Sequence, residues 1–351
     1  MIDLEDLKAA VASGLLTERQ AAGLRNLSNH RRSVREAVNA GDEPFELFRG
    51  FNEIFIVAGL ATLAVGWIGI VAAWAIATGP APVSLPWMWG LAGAAVLWGL
   101  SEYFVRRRRM VAPSIMLSVL FALNAGFAFA SIFSDDGYVI SPLVLALTTG
   151  AMLVHWSRFR VPFALALIAL GVFAVAIVTT AMSEGRPSGV SSYFLLSADG
   201  SFAWITLLLG SLAFCVAMIF DMSDPHRVTR QSANGFWLHI VAAPMLVNTI
   251  ALTLLARESG SANVLLLMIL ALLTIVAIVI DRRSFLIAGI GYIVTLATAV
   301  FDGEGAYLTV LLLGAALLLL GALWERVRAF VIKPLPKPLL ARLPPSYGDS
   351  A

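Results

Sequence analysis

The stretch FWLHIVAAPMLVNTIALTLLA, residues 236–256, is a hydrophobic run that contains a histidine, a proline and an asparagine. It has the length of a membrane-spanning helix, because about 20 apolar residues cross the roughly 30 Å of hydrocarbon in a bilayer. Polar and ionisable side chains at that depth are costly unless they are paired or hydrated. His239, Pro244 and Asn248 are therefore candidates for a polar site inside a membrane domain.

The composition of the whole chain fits that environment. Hydrophobic residues make up 59% of the 351 residues and charged residues 13%, whereas a soluble domain carries about 25% charged residues. The net charge of +2 provides no strongly basic surface, so we expect no nucleic-acid partner. The single cysteine, Cys215, excludes an intrachain disulfide and a cysteine-based metal site. We therefore expect an all-α polytopic membrane protein in contact with membrane lipids.

Ten apolar runs separated by short breaks are predicted to be transmembrane helices. Only helices or closed barrels satisfy the backbone in hydrocarbon, and these runs are too long and too uniformly apolar for barrel strands. The predicted spans are residues 52–78, 86–105, 112–133, 139–156, 161–182, 202–221, 236–256, 263–280, 284–301 and 306–324. The predicted domains are a cytoplasmic helical hairpin and linker (1–50), the ten-helix domain (51–325) and a Pro-rich cytoplasmic tail (326–351).

The distribution of Lys and Arg predicts how these spans are oriented. With ten spans, 22 of the 24 basic residues fall on one side, and only Arg186 and Arg257 fall on the other. Basic residues accumulate in cytoplasmic loops, so we expect both termini in the cytoplasm of a bacterium and the protein in its inner membrane. The first apolar run begins near residue 51, so no cleavable signal peptide is visible.

Both ends of the chain outside the spans have recognisable local patterns. Gly14 is placed to end a first helix, and Thr17 with Gln20 forms a capping box that starts a second. The tail KPLPKPLLARLPPSYG, residues 333–348, has the composition of an extended polyproline segment, although such segments are often disordered. The hairpin is either a solubilising anchor or a binding site for a protein partner.

The polar residues inside the spans suggest one site near mid-membrane. Pro244 should kink its helix, and Asn248 follows four residues later on the same face, whereas His239 falls nearly opposite. Asn124 lies twelve residues into span 112–133, as Asn248 does into span 236–256, so the two amides should have similar depth. A polar site shared by these two spans is one hypothesis. The alternative is an amide clamp between helices, worth about 1 kcal/mol.

A second group of ionisable residues lies at the predicted cytoplasmic edge. It comprises Glu53, Glu102, His155, Asp221 and Asp281, together with His239. A histidine beside a carboxylate titrates near neutrality, so this group could relay protons. The alternative is that these residues are helix end caps that pair with the adjacent arginines.

Other chemistry has no support in the sequence. The four histidines have no metal-ligand spacing, and no phosphate-binding loop, nucleophile elbow or zinc-protease motif is present. We therefore predict no metal, no cofactor and no catalytic residue. The segments GAAVLWGLSE (93–102) and GAALLLLGALWE (314–325) are similar, as are 145–163 and 270–285. This is the weak symmetry of repeat-built transporters or a chance likeness of Leu/Ala/Gly-rich helices.

Two blocks carry a family resemblance. EPFELFRGFNEIFIVAGL (43–60) and SANGFWLHIVAAPMLVN (232–248) resemble recurring blocks of an uncharacterised, mainly proteobacterial family of multi-pass membrane proteins, and residues 4–27 look like the opening of such proteins. The resemblance implies an inner-membrane protein and no established activity. In that family the position of Asn248 is more often a histidine, and this departure weakens a metal or proton-relay interpretation of that position.

Three functions remain open at this point. The architecture favours a transporter or permease for a small solute or ion. A membrane scaffold or sensor would act through the N-terminal hairpin and the Pro-rich tail. A lipid-modifying intramembrane enzyme would use His155 or His239 as a base. The oligomeric state is also open, because glycine-rich faces such as Gly90, Gly93 and Gly99 serve packing within one chain as well as between chains.

Overall fold

The computed structural model describes residues 10–17, 20, 51–78, 86–133, 141–187, 189–197, 200–224, 230–257, 259–285, 289, 292–294, 306–340 and 342–344. All regular structure in these ranges is helical, which confirms the predicted all-α class. The chain divides into two compact units, Met1–Phe45 and Glu46–Ala351.

The first unit contains the predicted capping box. The Thr17 amide donates to Oε1 of Gln20 at 3.0 Å, and the Gln20 amide donates to Oγ1 of Thr17 at 3.3 Å. Residues 10–12 are helical, and Gly14 follows with φ of +72°, a conformation that ends helices and that glycine adopts most easily. Both local predictions are thus confirmed, while the rest of the predicted hairpin lies outside the described residues.

The second unit contains eleven helices in its described part. They are α1 (Phe51–Thr78), α2 (Pro86–Ser101), α3 (Ala112–Phe133), α4 (Pro142–Phe159), α5 (Pro162–Glu184), α6 (Phe202–Ser223), α7 (Arg230–Leu255), α8 (Gly260–Ile280), α9 (Ala306–Ala322), α10 (Trp324–Ile332) and the short α11 (Lys337–Leu340). A π-helix, Glu102–Arg107, continues α2, and a short 3-10 helix, Val190–Tyr193, precedes α6.

Six of these helices are long and apolar enough to cross a membrane: α1, α3, α5, α6, α7 and α8. A seventh span results if α9 and α10, which are bent by 80° relative to each other, are counted together. The chain is therefore a membrane protein with several apolar helices. Helices α2 and α4 fall at predicted spans but are not among the six, and predicted span 284–301 lies largely outside the described residues. The count of ten thus stays a prediction.

Helix α7, which contains residues 236–255 of the polar-containing apolar run, is the most enclosed of the six. In α7, 61% of the apolar window is buried by protein, against 6–33% in the other five helices. It packs against α5, α6 and α8. One apolar core lies among α2, α3 and α4, around Leu117 and Met152, and a second lies along α7 and α8, around Val247 and Leu266. Several polar residues of α7, among them His239, Thr249 and Thr253, are therefore inside the helical bundle.

The packing of α2 on α3 depends on a glycine. A methyl group at Gly90 would come 2.8 Å from the backbone nitrogen of Ala128 and 2.9 Å from its Cα. Real Cβ atoms do not approach backbone atoms so closely, so the two helices would have to separate. Gly99, on the same helix, has open space around the corresponding position.

We expect Gly90→Ala to lower the free energy of unfolding by about 1–3 kcal/mol, the usual cost of overpacking a close contact. Gly99→Ala is the matched control on the same helix and should leave stability unchanged or slightly higher, because alanine is the better helix former. Thermal unfolding of both variants in detergent micelles measures the difference. Equal melting temperatures would contradict this account of the α2–α3 contact.

Candidate functional site

Three charged or ionisable side chains meet at one end of α6, α7 and α8. Nε of Arg282, just after α8, donates to Oδ2 of Asp221 at 3.0 Å, and Nη2 of Arg282 donates to Oδ1. Nε2 of His239, in the third turn of α7, lies 2.9 Å from Oδ2 of Asp221. We call Asp221, His239 and Arg282 the buried charge cluster.

The buried charge cluster is almost completely removed from solvent. The exposed fraction is 8% for Asp221, 0% for His239 and 1% for Arg282. The two-pronged contact of Arg282 matches the planar geometry in which a guanidinium binds a carboxylate most strongly. An ionised carboxylate can only accept, so Nε2 of His239 must carry the hydrogen in this contact. With a neutral imidazole, the cluster has one negative and one positive charge and is balanced.

Backbone geometry brings these residues together. At Gly235 a methyl group would come 2.2 Å from Oδ1 of Asp221 and 3.1 Å from the carbonyl of Ala217, so only glycine lets α7 approach α6 there. Asp281 ends α8 in the left-handed conformation, with φ of +56°, and turns the chain so that Arg282 reaches inward. Nη2 of Arg282 also donates to the carbonyl of Ser232 at 2.9 Å.

Aromatic rings surround the buried charge cluster. The ring centres of Phe214 and Phe285 lie 5.4 and 5.9 Å from that of His239. The guanidinium of Arg282 lies 6.0 Å from the ring centre of Phe236, at the limit of a cation–π contact. These rings exclude water, and charges in such an environment interact more strongly than in solvent.

Asp281, the neighbour of Arg282, contacts α10. Nε1 of Trp324, the first residue of α10, donates to Oδ1 of Asp281 at 2.7 Å. The guanidinium of Arg283 lies 5.1 Å from the Trp324 ring centre. One turn of chain thus connects the buried charge cluster on one side with α10 on the other.

The remaining acidic residues of the predicted edge group cap or pair with helix ends. Glu53 is buried and accepts a hydrogen bond at 3.1 Å from the amide of Ala112, where α3 begins and where helices favour negative charge. Glu102 pairs with Arg106 at 3.0 Å and with Arg158 at 2.7 Å, and its side chain is 33% exposed. For Glu53 and Glu102 the end-cap interpretation describes the contacts.

His155 lies in an aromatic pocket on α4. The rings of Trp98, Phe121 and Phe159 have their centres 4.6–5.9 Å from the imidazole centre. Its Nε2 lies 3.5 Å from Oγ of Ser101, and its Nδ1 has no hydrogen-bond partner among the described residues. His155 is fully buried and thus differs from His239, which has a carboxylate beside it.

The two predicted amides make their contacts with different helices. Nδ2 of Asn124 donates to the carbonyl of Leu120 within α3 at 2.9 Å, and its Oδ1 faces Gly93 of α2. Asn248 accepts a hydrogen bond at 2.9 Å from the hydroxyl of Tyr292, a residue of the ninth predicted span. Among the described residues, no hydrogen bond joins Asn124 to Asn248, so their shared site stays a prediction.

Pro244 lies within α7, which continues as one helix from Arg230 to Leu255. Proline has no amide hydrogen, so the carbonyl of Ile240 lacks its usual donor in the helix. The side chain of Pro244 is exposed, whereas Ala243 and Met245 beside it are buried. Pro244 therefore lies on the outer side of α7.

Of the nine site residues predicted from the sequence, Asp221 and His239 are in direct contact in the described structure. No sequence pattern identified Arg282 as the partner of Asp221. The same holds for Trp324, which binds Asp281, and for Tyr292, which binds Asn248. Arg282 follows an acidic residue at the end of an apolar run, and that position was a signal that it could turn back into the bundle. Tyr292 had no such signal.

Comparisons of the chain with known protein families, with curated proteins and with solved structures give no match. The resemblance to the uncharacterised membrane protein family therefore stays a prediction.

We expect Asp221→Asn to lower the free energy of unfolding by about 3–5 kcal/mol, because it removes one member of a buried ion pair and leaves the Arg282 charge buried. Glu102→Gln is the matched control, since it removes a carboxylate that also contacts two cations but is partly exposed. Its cost should be much smaller, because solvent screens an exposed ion pair. Thermal and denaturant unfolding in micelles measures both, and similar losses in the two variants would contradict the cluster's buried character.

Proposed function

We propose that the protein is a transporter or permease of the bacterial inner membrane, with both termini in the cytoplasm, that moves a small solute or ion. The buried charge cluster is the observation that carries this proposal. Ionisable residues inside a membrane bundle are expensive, and they typically mark substrate or proton pathways. Here His239 lies on α7, the most enclosed of the six candidate spans, and Asp221 contacts it from α6.

The charges of the cluster suggest how transport is driven. Asp221 and Arg282 balance each other, so a proton taken up by His239 adds one positive charge to a buried site. Two responses restore the balance: Arg282 leaves Asp221, or an anionic group enters. Either response links proton uptake to a change in the contact between α6, α7 and the end of α8, which is the link that a proton-coupled carrier requires.

Helix α7 also offers polar groups at a second depth. Asn248 is nine residues beyond His239, which corresponds to roughly 14 Å along a helix. We therefore place the solute path along α7, from the buried charge cluster to the Asn248–Tyr292 pair. Asn124 would be a second amide bordering this path only if α3 approaches α7 during transport.

The alternative functions have less support. A scaffold acting through a free polyproline tail fits poorly with residues 335–344, where Lys337–Leu340 is helical and Leu343 is buried in the second core. A lipid-modifying enzyme needs a base that a headgroup can reach, and both candidate imidazoles, His155 and His239, are fully buried.

The test is reconstitution of the purified chain in liposomes that contain a pH-sensitive dye. Amino acids, carboxylates, sugars, nucleosides and inorganic cations are added in turn, and proton flux is followed. We expect one class to produce flux above that of empty liposomes. His239→Gln should slow it by about tenfold or more, equivalent to about 1.4 kcal/mol in the barrier.

His155→Gln is the matched control, because it also removes a fully buried imidazole, but one without a carboxylate partner. It should keep flux near the wild-type rate. The transporter proposal fails if no class of solute gives protein-dependent flux. The role of the buried charge cluster fails if both histidine variants transport at the same rate.

A further inference from the structure

We propose that α10 and the turn that follows it form a binding surface for anionic phospholipid. The inference does not depend on what the protein transports. It rests on the direction of α10, on its two different faces and on the sign of the charges that it exposes.

The direction of α10 follows from the helix before it. Helix α9 is apolar over its whole length, and large hydrophobic side chains such as Tyr307, Leu311 and Leu318 are exposed, as expected for a surface in contact with lipid tails. The chain then turns by 80° between the two helices. If α9 crosses the bilayer, α10 lies close to the membrane plane, where amphipathic helices bind the interface between headgroups and acyl chains.

The inner face of α10 is held by the protein. Trp324, Arg328 and Ile332, spaced by four residues, are buried. Trp324 donates to Asp281 at the end of α8, and Arg328 donates to the carbonyl of Pro344. These contacts fix the orientation of α10, so its opposite face points away from the protein.

The outer face carries basic residues and an exposed aromatic ring. Every exposed charged residue described between positions 324 and 344 is basic: Arg326, Lys333, Lys337 and Arg342. Arg326, Lys333 and Lys337 have no ion pair with another described residue, in contrast to Arg106 and Arg158, which pair with Glu102. Phe330 lies among them and is 78% exposed.

This combination matches an anionic lipid surface. Cationic side chains beside a bilayer attract acidic headgroups, by about fivefold in affinity for each basic residue. The ring of Phe330 can enter the acyl boundary next to α9, as aromatic residues of interfacial helices do. A soluble acidic protein could also pair with the cations. It would not account for the exposed ring of Phe330 at the membrane plane.

The first test measures lipid binding by the full-length protein in detergent. Native mass spectrometry with added phosphatidylglycerol or phosphatidylcholine gives the affinity for each. We expect Arg326→Gln/Lys333→Gln to weaken phosphatidylglycerol binding by about tenfold or more and to leave phosphatidylcholine binding unchanged. Arg186→Gln/Arg257→Gln, which removes two other exposed charges, should stay within about twofold of the wild type. Equal effects of the two double variants would overturn the proposal.

The second test places Phe330 directly. In a Cys215→Ser background, a spin label at Phe330→Cys in nanodiscs containing phosphatidylglycerol should be more accessible to oxygen than to a water-soluble nickel chelate. Such a result supports insertion at the lipid interface. Preferential access of the nickel chelate would overturn the proposal and would leave a soluble partner as the occupant of this surface.

Discussion

The buried ion pair of Asp221 and Arg282 is the contact on which the rest of this region depends. Removing two charges from water costs several kcal/mol per ion, and the pair repays this only when geometry is good and the remaining hydrogen-bonding groups are satisfied. Both conditions are met: Arg282 binds with two donors and also reaches the carbonyl of Ser232. The ends of α6 and α8 must therefore keep their positions relative to α7 for the pair to persist.

The turn after α8 makes contacts with two helices, α6 and α10. Arg282 binds inward to the carboxylate of α6, and its neighbour Asp281 accepts a hydrogen bond from Trp324 at the start of α10. A displacement of the buried charge cluster would therefore also displace the hydrogen bond between Asp281 and α10, the helix that we propose to lie on anionic lipid. His239 is the third ionisable side chain in this network, and it contacts the same carboxylate. The buried charge cluster, the end of α8 and α10 are thus connected through adjacent residues.

The sequence predicted the elements better than the partners. The bounds of α3, residues 112–133, were predicted because apolar runs in this chain end abruptly at charges and prolines. Asp221 and His239 were assigned to the same membrane edge for the same reason. Arg282 was counted only for orientation, because the positive-inside pattern says on which side a charge lies and not what it binds. The bend after α9 and the folding of the tail around Leu343 depend on tertiary contacts that no local pattern records.

The most direct test of the central role of this ion pair is a double-mutant cycle of Asp221→Asn and Arg282→Gln, measured by equilibrium unfolding in micelles. Each single variant removes one charge of a buried pair and leaves the other charge in place. The double variant should therefore lose less stability than the sum of the two single losses. We expect a coupling energy of about 2 kcal/mol or more, within the range for residues in direct contact. Additivity within about 0.5 kcal/mol would contradict the account, because it would mean that the two charges do not depend on each other.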